Sequence, residues 1–446
     1  MRMVEIARQK NKKDIGNCSR FFRGTLLVLL TTVMIVFFHA VPAQSEEKTI
    51  KIGMNYPRTG PYSVQGLDQF RAAELALDEI NAGGGILGHK IDLVWKDSQS
   101  KPDISVKNVI DLIENQDVKM IFGGVSSGVA VAVGDVCQDK NTIFMATVTA
   151  SNATTGEKGH RHTFRVCYNA WMGAKAMATY LKKRFDGKKY FYITSDYTWG
   201  WSSEESIRKF TNTEDRSIHR GILTPLGADD EAFKKAISFA KIIKPDVLVL
   251  VLFGKDMSTG IRFATLMGLK KSSQIVVPIL ELGLAEGAGA KVMEGVIGTA
   301  DWNWQVPYVY DYQKGKDFVE KFVAAYKRYP CWGASTAYTN LVQYKNAVER
   351  ARTFDSPAVI RALEGHEFVG LKDIQTWRDF DHQCVQSVYV VKCKPQAQVL
   401  GDKFKLDYFE VLDRFSGEQL VQTRQEWNQR RQSKGLPIHL EKLLGE

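Results

Sequence analysis

Apolar residues recur with two different periods in the first third of the chain. Four of them fall at helical spacing, in a stripe that ends at Asn81: Phe70, Ala73, Leu77 and Ile80. Farther on, Ile91, Leu93 and Trp95 alternate with charged residues, the period of two that indicates a strand. The pattern therefore predicts a helix over about Ala72–Asn81, a turn, and a strand over Ile91–Trp95.

The predicted turn contains Gly83–Gly88 (GGGILG), which has the G-x-G-x-x-G spacing of a dinucleotide-binding loop. In such a loop the glycines leave a strand and enter a helix, so that a pyrophosphate meets free N–H groups at the helix N-terminus. Here the helix precedes the glycines and the strand follows them. We therefore interpret the stretch as a helix cap and turn, and predict no NAD site.

The same alternation of strands and helices continues in two series. The first runs from a strand at Thr49–Pro57 to the short apolar strand MIFGG, with a helix marked by Val106, Val109, Ile110 and Ile113 before it. The second begins after Phe164 with these segments: a helix over about Ala170–Phe185, strand Tyr190–Ser195, a helix around Phe233, Ile237 and Ala240, and strands Val247–Phe253 and Gln274–Leu280. This order predicts an α/β protein with two doubly wound lobes, each built on a parallel sheet.

The last third of the chain is harder to assign. Its pattern predicts helices over about Asp317–Arg328 and Ala334–Arg350, then strands around Val385–Val391 and Phe404–Leu412. These elements must be shared between the two lobes, and the sequence does not say how. We interpret the basic stretch Arg424–Gly435 as a surface arm.

The N-terminus has the features of a secretory signal peptide. Seven basic residues precede the apolar run Thr25–Phe38, and Val41-Pro42-Ala43 fits the small-x-small cleavage pattern. The run is too short for a good membrane span, so we predict cleavage after Ala43 and a periplasmic location, with an uncleaved anchor as the alternative. The leader carries a net charge of +5, half of the +10 of the whole chain. The remaining charge is spread without a Lys/Arg run, so no nucleic-acid partner is predicted.

Five cysteines follow the leader: Cys137, Cys167, Cys331, Cys384 and Cys393. The last two flank the strand-like segment VQSVYVVK, so an oxidising compartment leaves a local disulfide there open. The odd count leaves at least one thiol free or in an intermolecular bond. No C-x-x-C spacing occurs, so no zinc or redox site of that type is indicated.

Small hydroxyl residues follow three of the predicted strands. The segments are Val125–Gly128 after MIFGG, Thr147–Thr154 after TIFMA, and Asp196–Trp201 after YFYITS. In open α/β sheets, ligands bind beyond the carboxyl ends of the strands. Hydroxyl groups and unpaired N–H groups at such a place suit a carboxylate, although Ser and Thr also cap helices in every protein. Their joint position predicts a binding site.

Two histidine motifs offer an enzymatic alternative. His160 and His162 in GHRH resemble a metal pair, but no third ligand is near in sequence, and we interpret the segment as a solvated loop. Asp381-His382-Gln383 resembles part of a catalytic set, but no Ser or Cys lies in a nucleophile elbow. We therefore predict no catalytic residue, no cofactor and no metal site.

From about Thr49 to Gly298, and more loosely to Val391, the chain resembles the periplasmic substrate-binding proteins of the branched-chain amino acid type, partners of ABC transporters. The resemblance rests on these segments in this order: IGMNYPRTGPYSVQGLDQFRAAELALDEINAGGGILGHKIDLVWKDSQSKP, GGVSSGVAVAV, SNATTGEKGHRHTFRV, DYTWGWSSEESI and TWRDFDHQ. It implies two Rossmann-like lobes that are joined by three crossover strands and close on a ligand like a flytrap. On this basis we expect a signal peptide over 1–43, lobe 1 over 48–165 and about 299–380, lobe 2 over 166–298 and about 381–415, and a basic arm over 416–446.

The resemblance also implies which residues hold the ligand. On lobe 1, the α-carboxylate and α-ammonium groups fall to Ser127 with its neighbour Ser126, and to Thr149 and Ser151. On lobe 2, the expected contacts come from the aromatic residues Tyr197, Trp199 and Phe253 and from Glu281, which is placed to receive the ammonium.

One departure from the family pattern bears on the ligand. Leucine binders often have an aromatic residue before the glycine of the first loop, whereas this chain has Gln65 before Gly66. A polar side chain there suits an amide or another polar substituent better than an isobutyl tail.

The function expected from the resemblance is capture of a small amino acid, amide or carboxylate and its delivery to a membrane permease of an ABC transporter. The alternative is a ligand-sensing receptor of the same fold that feeds a signalling partner. The identity of the ligand is open at this stage.

Overall fold

Two sheets, each covered by helices, form the body of the protein, as the sequence predicts. The first sheet is parallel, but the second is mixed and not wholly parallel as predicted, because its two strands from the last third of the chain, Val388–Cys393 and Phe409–Phe415, pair antiparallel. The computed structural model describes residues 48–446, so the predicted signal peptide lies outside the described residues. Within that range no helix has both the length and the apolar character that crossing a membrane requires.

The first sheet is entirely parallel and is formed by the N-terminal part of the described chain. Its strands have the order β2-β1-β3-β4-β5. The elements are β1 (Thr49–Tyr56), α1 (Ser63–Ala82), β2 (Lys90–Asp97), α2 (Pro102–Glu114), β3 (Met120–Gly123), α3 (Ser127–Asp139), β4 (Ile143–Ala146), a short 3₁₀ helix (Asn152–Thr154) and β5 (Thr163–Arg165).

The glycine stretch is a helix end and turn, so that interpretation is confirmed. Gly83 follows the last residue of α1, and β2 begins at Lys90. Gly84, Gly85 and Gly88 have φ angles of 95°, 76° and 75°, which favour glycine. The helix itself begins nine residues before the predicted start. Its first turns bury polar side chains, among them Gln65 and Asp68, and so show no apolar period.

The second series of elements follows directly. It comprises α4 (Ala170–Phe185), β6 (Tyr190–Ser195), α5 (Thr198–Thr211), β7 (Gly221–Thr224), α6 (Asp230–Ile243), β8 (Val247–Val251), α7 (Gly254–Leu266), a 3₁₀ turn (Leu269–Lys271), β9 (Gln274–Val277), α8 (Leu282–Ala288), α9 (Ala290–Met293) and β10 (Ile297–Ala300). The all-apolar strand β8 lies inside a sheet, between β9 and β6, and is completely buried, which is the position that suits a fully apolar strand.

The last third of the chain adds elements to both halves. They are α10 (Val306–Val309), α11 (Gln313–Tyr326), α12 (Trp332–Ala351), α13 (Ser356–Leu363), β11 (Glu367–Val369), β12 (Ile374–Trp377), β13 (Cys384–Val385), β14 (Val388–Cys393), α14 (Gln396–Gly401), β15 (Phe409–Phe415), α15 (Gly417–Leu420) and α16 (Arg424–Gln432). Helix α12 packs on α1, whereas β14 and β15 join the second sheet, of order β15-β14-β10-β9-β8-β6-β7. Strands β11, β12 and β13 form a small third sheet.

The C-terminal segment is not the surface arm that its composition suggested. Trp427 in α16 is fully buried, and its Nε1 donates to the carbonyl oxygen of Thr155 at 2.9 Å. Arg430 forms two hydrogen bonds to the Glu157 carboxylate, at 2.6 and 3.0 Å. A single tryptophan and an ion pair thus dock a helix whose other residues are polar, and a hydrophobicity pattern does not detect such a contact.

The five cysteines of residues 48–446 are all buried free thiols. The local disulfide that the sequence left open does not form: Cys384 lies in β13 of the small sheet, and Cys393 ends β14 of the second sheet. Burial raises the pKa of the Cys384 thiol to about 12, which makes the reactive thiolate rare at neutral pH.

Candidate functional site

The carboxyl ends of β3 and β4 bring two of the predicted serines together. Ser126 precedes the first turn of α3, and Ser127 is its first residue; both side chains are buried. The Oγ atom of Ser127 accepts a hydrogen bond from the N–H of Ser151 at 3.1 Å. We call this group of residues, Ser126, Ser127 and Thr149–Ser151, the cradle. Its position beyond parallel strand ends is the one expected for a ligand site.

Two hydroxyl groups of the cradle differ in what they contact. Thr149 is fully buried, and its Oγ1 has no hydrogen-bond partner within residues 48–446. The Oγ of Ser151 instead accepts from the N–H of Ala153 at 3.2 Å and lies 3.1 Å from the Oγ of Ser202 on α5. In this conformation the Thr149 hydroxyl makes no hydrogen bond to residues 48–446, whereas that of Ser151 caps a turn and touches the opposite lobe.

Aromatic side chains from the second sheet form a wall on the other side. The Trp199 and Phe253 rings lie 5.9 Å apart, and Tyr197 lies 6.1 Å from Trp199. These three residues are the aromatic wall. Trp199 is 3% exposed, and its Nε1 is a buried donor with no acceptor in the described part of the chain. Gly200 permits this arrangement, because a Cβ there would lie 1.9 Å from the Ser195 carbonyl oxygen at the end of β6.

Tyr62 also reaches the wall, although it was not predicted as a site residue. Its ring lies 5.4 Å from that of Phe253, edge to face, and its hydroxyl is 3.4 Å from the Tyr197 hydroxyl. It follows β1, just before α1 begins. The strand-end rule, applied to β1 as well as to the later strands, would have found it.

Gln65 and Glu281 meet directly. The Nε2 of Gln65 on α1 donates to Oε1 of Glu281 at 2.7 Å. The same carboxylate caps α8, accepting from the N–H groups of Gly283 and Leu284 at 3.0 and 2.8 Å. Glu281 is 1% exposed, and burial raises the pKa of its carboxyl group. Three donors therefore already occupy the carboxylate that was expected to receive a ligand ammonium.

Contacts between the two halves surround the site. Tyr62 touches Phe253, Gln65 bonds to Glu281, and the 3₁₀ helix after the cradle bonds to α5 through Asn152 Nδ2 and Ser206 Oγ at 3.0 Å. The structure thus has the two lobes in contact around the cradle and the aromatic wall.

The GHRH histidines do not lie in a solvated loop, so that interpretation is wrong. His162 is buried and bonds through Nδ1 to Gln138 Oε1 at 3.0 Å. His160 lies 2.7 Å from a carboxylate oxygen of Asp135 and 2.7 Å from one of Glu441. Residues around Glu441, near the C-terminus, cover this segment. The sequence pattern gave no reason to place them here. The described residues contain no group of three or more side chains suited to hold a metal ion.

The Asp381-His382-Gln383 segment lies in the third crossover between the sheets. The His382 ring stacks on Phe164 at 3.9 Å and bonds to Glu364 at 2.8 Å. Gln383 Oε1 accepts from Arg165 Nε at 2.8 Å. These contacts tie the crossover to β5, so the segment has a structural role in joining the two sheets.

Comparison with known proteins agrees with this architecture. A family model described as periplasmic binding protein matches residues 49–398. The Leu/Ile/Val-binding protein BraC3 of Rhizobium johnstonii is 28% identical over 219 residues, which is 49% of this chain and 58% of that protein. The chain is thus aligned with little more than half the length of that relative.

Solved structures match over a larger part of the chain. A periplasmic binding protein from Burkholderia mallei has a TM-score of 0.76 at 22% identity, over 85% of this chain and 98% of that one. A solute-binding protein from Rhodopseudomonas palustris, solved with 3,4-dihydroxybenzoic acid, has a TM-score of 0.72 at 19% identity, over 83% and 98%. At these identities the likeness shows the two-lobed fold alone.

Proposed function

The chain belongs to the periplasmic binding protein family, of the branched-chain amino acid type, and we propose that it captures a small solute between its two lobes and delivers it to an ABC transporter permease. The solute is a small amino acid, or a related amide or carboxylate. The family model covers most of the chain, including both sheets. Relatives named as binding proteins support a role in which the protein carries out no chemistry of its own.

One observation carries the proposal: a polar cradle on one lobe and an aromatic wall on the other lie at an interface that the lobes share. The cradle supplies the Ser127 and Thr149 hydroxyl groups, and the wall supplies the rings of Trp199 and Phe253. Hydroxyl groups and free N–H groups suit a carboxylate, and aromatic rings suit an apolar tail. Both parts of a small organic acid are thereby recognised.

Closure explains how such a site binds tightly. When the lobes meet, water leaves the cleft, and hydrogen bonds to a charged ligand strengthen in the drier surroundings. The contacts of Gln65 with Glu281 and of Tyr62 with Phe253 connect the lobes and would stabilise the closed form. We propose that the permease recognises this closed form, and that the protein works in the periplasm.

The extent of each lobe follows from the same proposal. Lobe 1 comprises 48–165 and about 299–380, and lobe 2 comprises 166–298 and about 381–415. The strands of the first and second sheets and the packing of α12 on α1 support this division.

The ligands of related proteins indicate which chemical group the solute carries. The Rhizobium relative is named for leucine, isoleucine and valine, and the Rhodopseudomonas structure holds a dihydroxybenzoic acid. Their common feature is a carboxylate. We therefore place the carboxylate of the solute at Ser127 and Thr149.

A thermal-shift screen of the purified protein tests the proposal. The protein is unfolded and refolded to remove carried ligand, then screened against amino acids, small amides, urea and aromatic acids. A ligand present at a hundred times its Kd adds about 2.7 kcal/mol to the free energy of unfolding, a clear rise in melting temperature. Failure of every class to raise the melting temperature would count against capture of this kind of solute.

A paired variant locates the site. The double substitution Ser127→Ala and Thr149→Val should lower affinity strongly while the protein still folds, because a buried carboxylate loses the two hydroxyl donors at which we place it. Ser238→Ala is the matched control, since its Oγ bonds to the Lys234 carbonyl oxygen on α6 and to Met267 Sδ just after α7, away from the cradle. Identical ligand-titration curves for the double variant and the control would show that the ligand does not bind at the cradle.

A further inference from the structure

A second cavity lies between α11, α12 and the small third sheet. Its volume is about 410 Å³, within the range of roughly 300–1,000 Å³ that small-molecule sites occupy. None of the residues that line it belongs to the cradle or to the aromatic wall. The cavity is therefore separate from the site proposed for the transported solute.

The walls of this cavity are held in place by contacts within the protein. Lys314 Nζ on α11 donates to the Val369 carbonyl oxygen of β11 at 3.1 Å. The next residue, Gly315, lets α11 approach the turn after β11, because a Cβ there would lie 2.1 Å from the Leu371 carbonyl oxygen. The cavity is thus already formed before anything binds in it, as small-molecule sites usually are.

Gln343 places an uncommitted amide group against the cavity. The residue is 3% exposed, and its Oε1 has no hydrogen-bond donor within residues 48–446. A buried acceptor without a donor is unfavourable, because the hydrogen bond to water that it loses on folding is not replaced. Asn346 also lines the cavity, one turn later on the same face of α12. A primary amide both donates and accepts, so these side chains suit a ligand with the same two functions.

Aromatic rings supply the apolar part of the lining. The Phe318 and Tyr338 rings, from α11 and α12, lie 4.8 Å apart. The His366 ring stacks on that of Phe368 in β11, with 6.4 Å between the ring centres and 17° between their planes. Aromatic rings pack well against the face or the edge of another ring. The lining therefore suits a planar aromatic ligand.

The charged groups around the cavity balance one another. Two lysines and two acids line it: Lys314, Lys321, Asp317 and Glu367. Lys321 pairs with Glu79 at 2.8 Å, and Asp317 accepts from Gln313 at 2.7 Å. Burial lowers the pKa of His366, so its ring is neutral at neutral pH. A charged ligand would lose its hydration here without gaining a counter-charge, which favours a neutral ligand.

We propose that this cavity is a second binding site, which takes a neutral, planar aromatic molecule with an amide group. The ligand amide would donate its N–H to Gln343 Oε1 and accept from Nε2 of the same side chain. Its ring would lie against Phe368 and Tyr338. Aromatic carboxamides and nucleobases with a ring amide share this chemistry. The inference goes beyond the proposed function, because neither the cradle nor its solute takes part.

Methyl NMR of the full chain, titrated with four probes, tests the inference. Benzamide is compared with acetophenone and uracil with 1,3-dimethyluracil, because the second member of each pair lacks the N–H donors. We expect benzamide, uracil or both to shift the methyl signals of Val342 and Leu371, which line the cavity. The partner without donors should bind about tenfold more weakly or worse, the loss expected for a buried acceptor left unpaired.

The pattern of binding also identifies the source of the ligand. Shifts with benzamide alone indicate carboxamides, and shifts with uracil alone indicate nucleobases. If neither amide shifts these two signals, or if each partner without donors binds as tightly as its amide, the inference is overturned. The wider ligand screen decides the proposed function separately, since it reports on the cradle.

Variants of α12 test whether its amide groups hold the ligand. Gln343→Leu should lower the affinity for the bound amide about tenfold or more and leave binding at the cradle unchanged. The variant should also fold, because its Oε1 has no donor to lose within the described residues. Asn346→Leu provides the same comparison if Gln343→Leu does not fold. Unchanged affinity for the amide in the folded variants would overturn the inference.

Gln116→Leu is the matched control. Gln116 is a partly buried glutamine in the turn between α2 and β3, and it does not line the cavity. Its replacement should leave the affinity for the amide unchanged. The double substitution Ser127→Ala and Thr149→Val should also leave the shifts of Val342 and Leu371 intact. Loss of those shifts in the double variant would show that the amide binds at the cradle, and would overturn the inference.

Discussion

The cradle and the aromatic wall both lie where the two lobes touch, but they are built differently. The cradle backbone is held on several sides: by Arg165 from below, by Ser127 from α3, and by Trp427 through the adjoining Thr155. The wall consists of rings in contact with rings, and the Trp199 indole N–H has no acceptor among residues 48–446. A hydrogen-bonded loop has one geometry, whereas packed rings tolerate small shifts. The comparison suggests that the cradle sets which polar group binds and that the wall adapts to the tail.

The two regions also differ in the sequence separation between their own residues and the residues that hold them in place. The wall residues follow strands of the second sheet and are supported by neighbours in that sheet. The cradle depends on Gln383 in the third crossover and on α16 near the C-terminus. Substitutions far from the cradle in sequence should therefore disturb it, and four predictions follow this difference from the largest expected effect to the smallest.

Trp427→Ala should have the largest effect, because it removes the buried anchor of the C-terminal segment and leaves the Thr155 carbonyl without its donor. A fully buried tryptophan truncated to alanine costs about 3–5 kcal/mol in the free energy of unfolding. Denaturant unfolding measures the loss, and ligand titration should show weaker binding as the loop relaxes. Trp201→Ala is the control, since Trp201 is 53% exposed. Equal effects of the two substitutions would contradict a supporting role for α16.

Trp199→Ala should mainly lower ligand affinity, because it removes one side of the wall. We expect a loss of about 1.5–3 kcal/mol, the value of burying one large apolar side chain, or roughly tenfold to a hundredfold in Kd. Calorimetric titration measures it. Phe239→Ala, at a partly exposed position on α6 of the same lobe, is the control. If the Trp199→Ala variant binds the ligand with unaltered affinity, the aromatic wall is not part of the binding site.

Gln65→Leu should shift the balance between open and closed forms. The substitution removes the donor that reaches Glu281 across the cleft, while Gly283 and Leu284 still donate to that carboxylate. A single hydrogen bond to a charged group is worth about 1.5 kcal/mol, so the ratio of closed to open molecules should fall about tenfold. Energy transfer between dyes on the two lobes reports closure. Gln313→Leu, which loses a similar bond to Asp317 on an exposed helix, should leave the signal unchanged.

The smallest expected effect is a change with pH in how tightly the segment around Glu441 docks against His160 and Arg161. Burial acts to raise the pKa of Glu441, but hydrogen bonds from His160 and from the Arg161 N–H lower it to about 2. Burial acts to lower the pKa of His160, yet its hydrogen bonds to Glu441 and Asp135 raise it above 6.5. The Glu441 contribution is present above about pH 4.5 and lost towards pH 2. The His160 contribution is present below about pH 6.5 and lost as pH rises through the raised pKa.

Docking of this segment should therefore be strongest between about pH 4.5 and 6.5. The NMR shift of the Arg161 amide, which donates to Glu441 at 2.9 Å, reports the contact directly. Glu441→Gln should flatten its pH dependence. A shift that follows pH identically in the variant would show that other groups cause it.

The sequence predicted the parts of the molecule that depend on local patterns. The strand ends that carry Ser127 and Trp199 followed from the alternation of strands and helices, and the turn at Gly83–Gly88 followed from the order of its neighbours. Each of these features is set by residues close together in the chain. The meeting of cradle and wall at one interface then follows from the two-lobed fold that the family resemblance implied.

The features that escaped prediction are set by distant residues. Arg165 stood inside the quoted HTFRV segment, but its bond to Gln383 needs a segment more than two hundred residues later. The polar first turns of α1 showed no helical period, because their buried face meets Glu281 and Cys331 and not an apolar core. Trp427 looked like one aromatic residue in a basic tail. No local period encodes such contacts.

The bond between Trp427 and Thr155 joins residues 272 positions apart. All of the chain from Thr155 to Trp427 must therefore be synthesised before the loop behind the cradle gains its outer support. Contacts of such long separation form slowly, because so much chain has to be ordered before the two ends meet. A molecule in which α16 has not yet docked would have both sheets but would lack this support, so docking of α16 is expected to be a late step in folding.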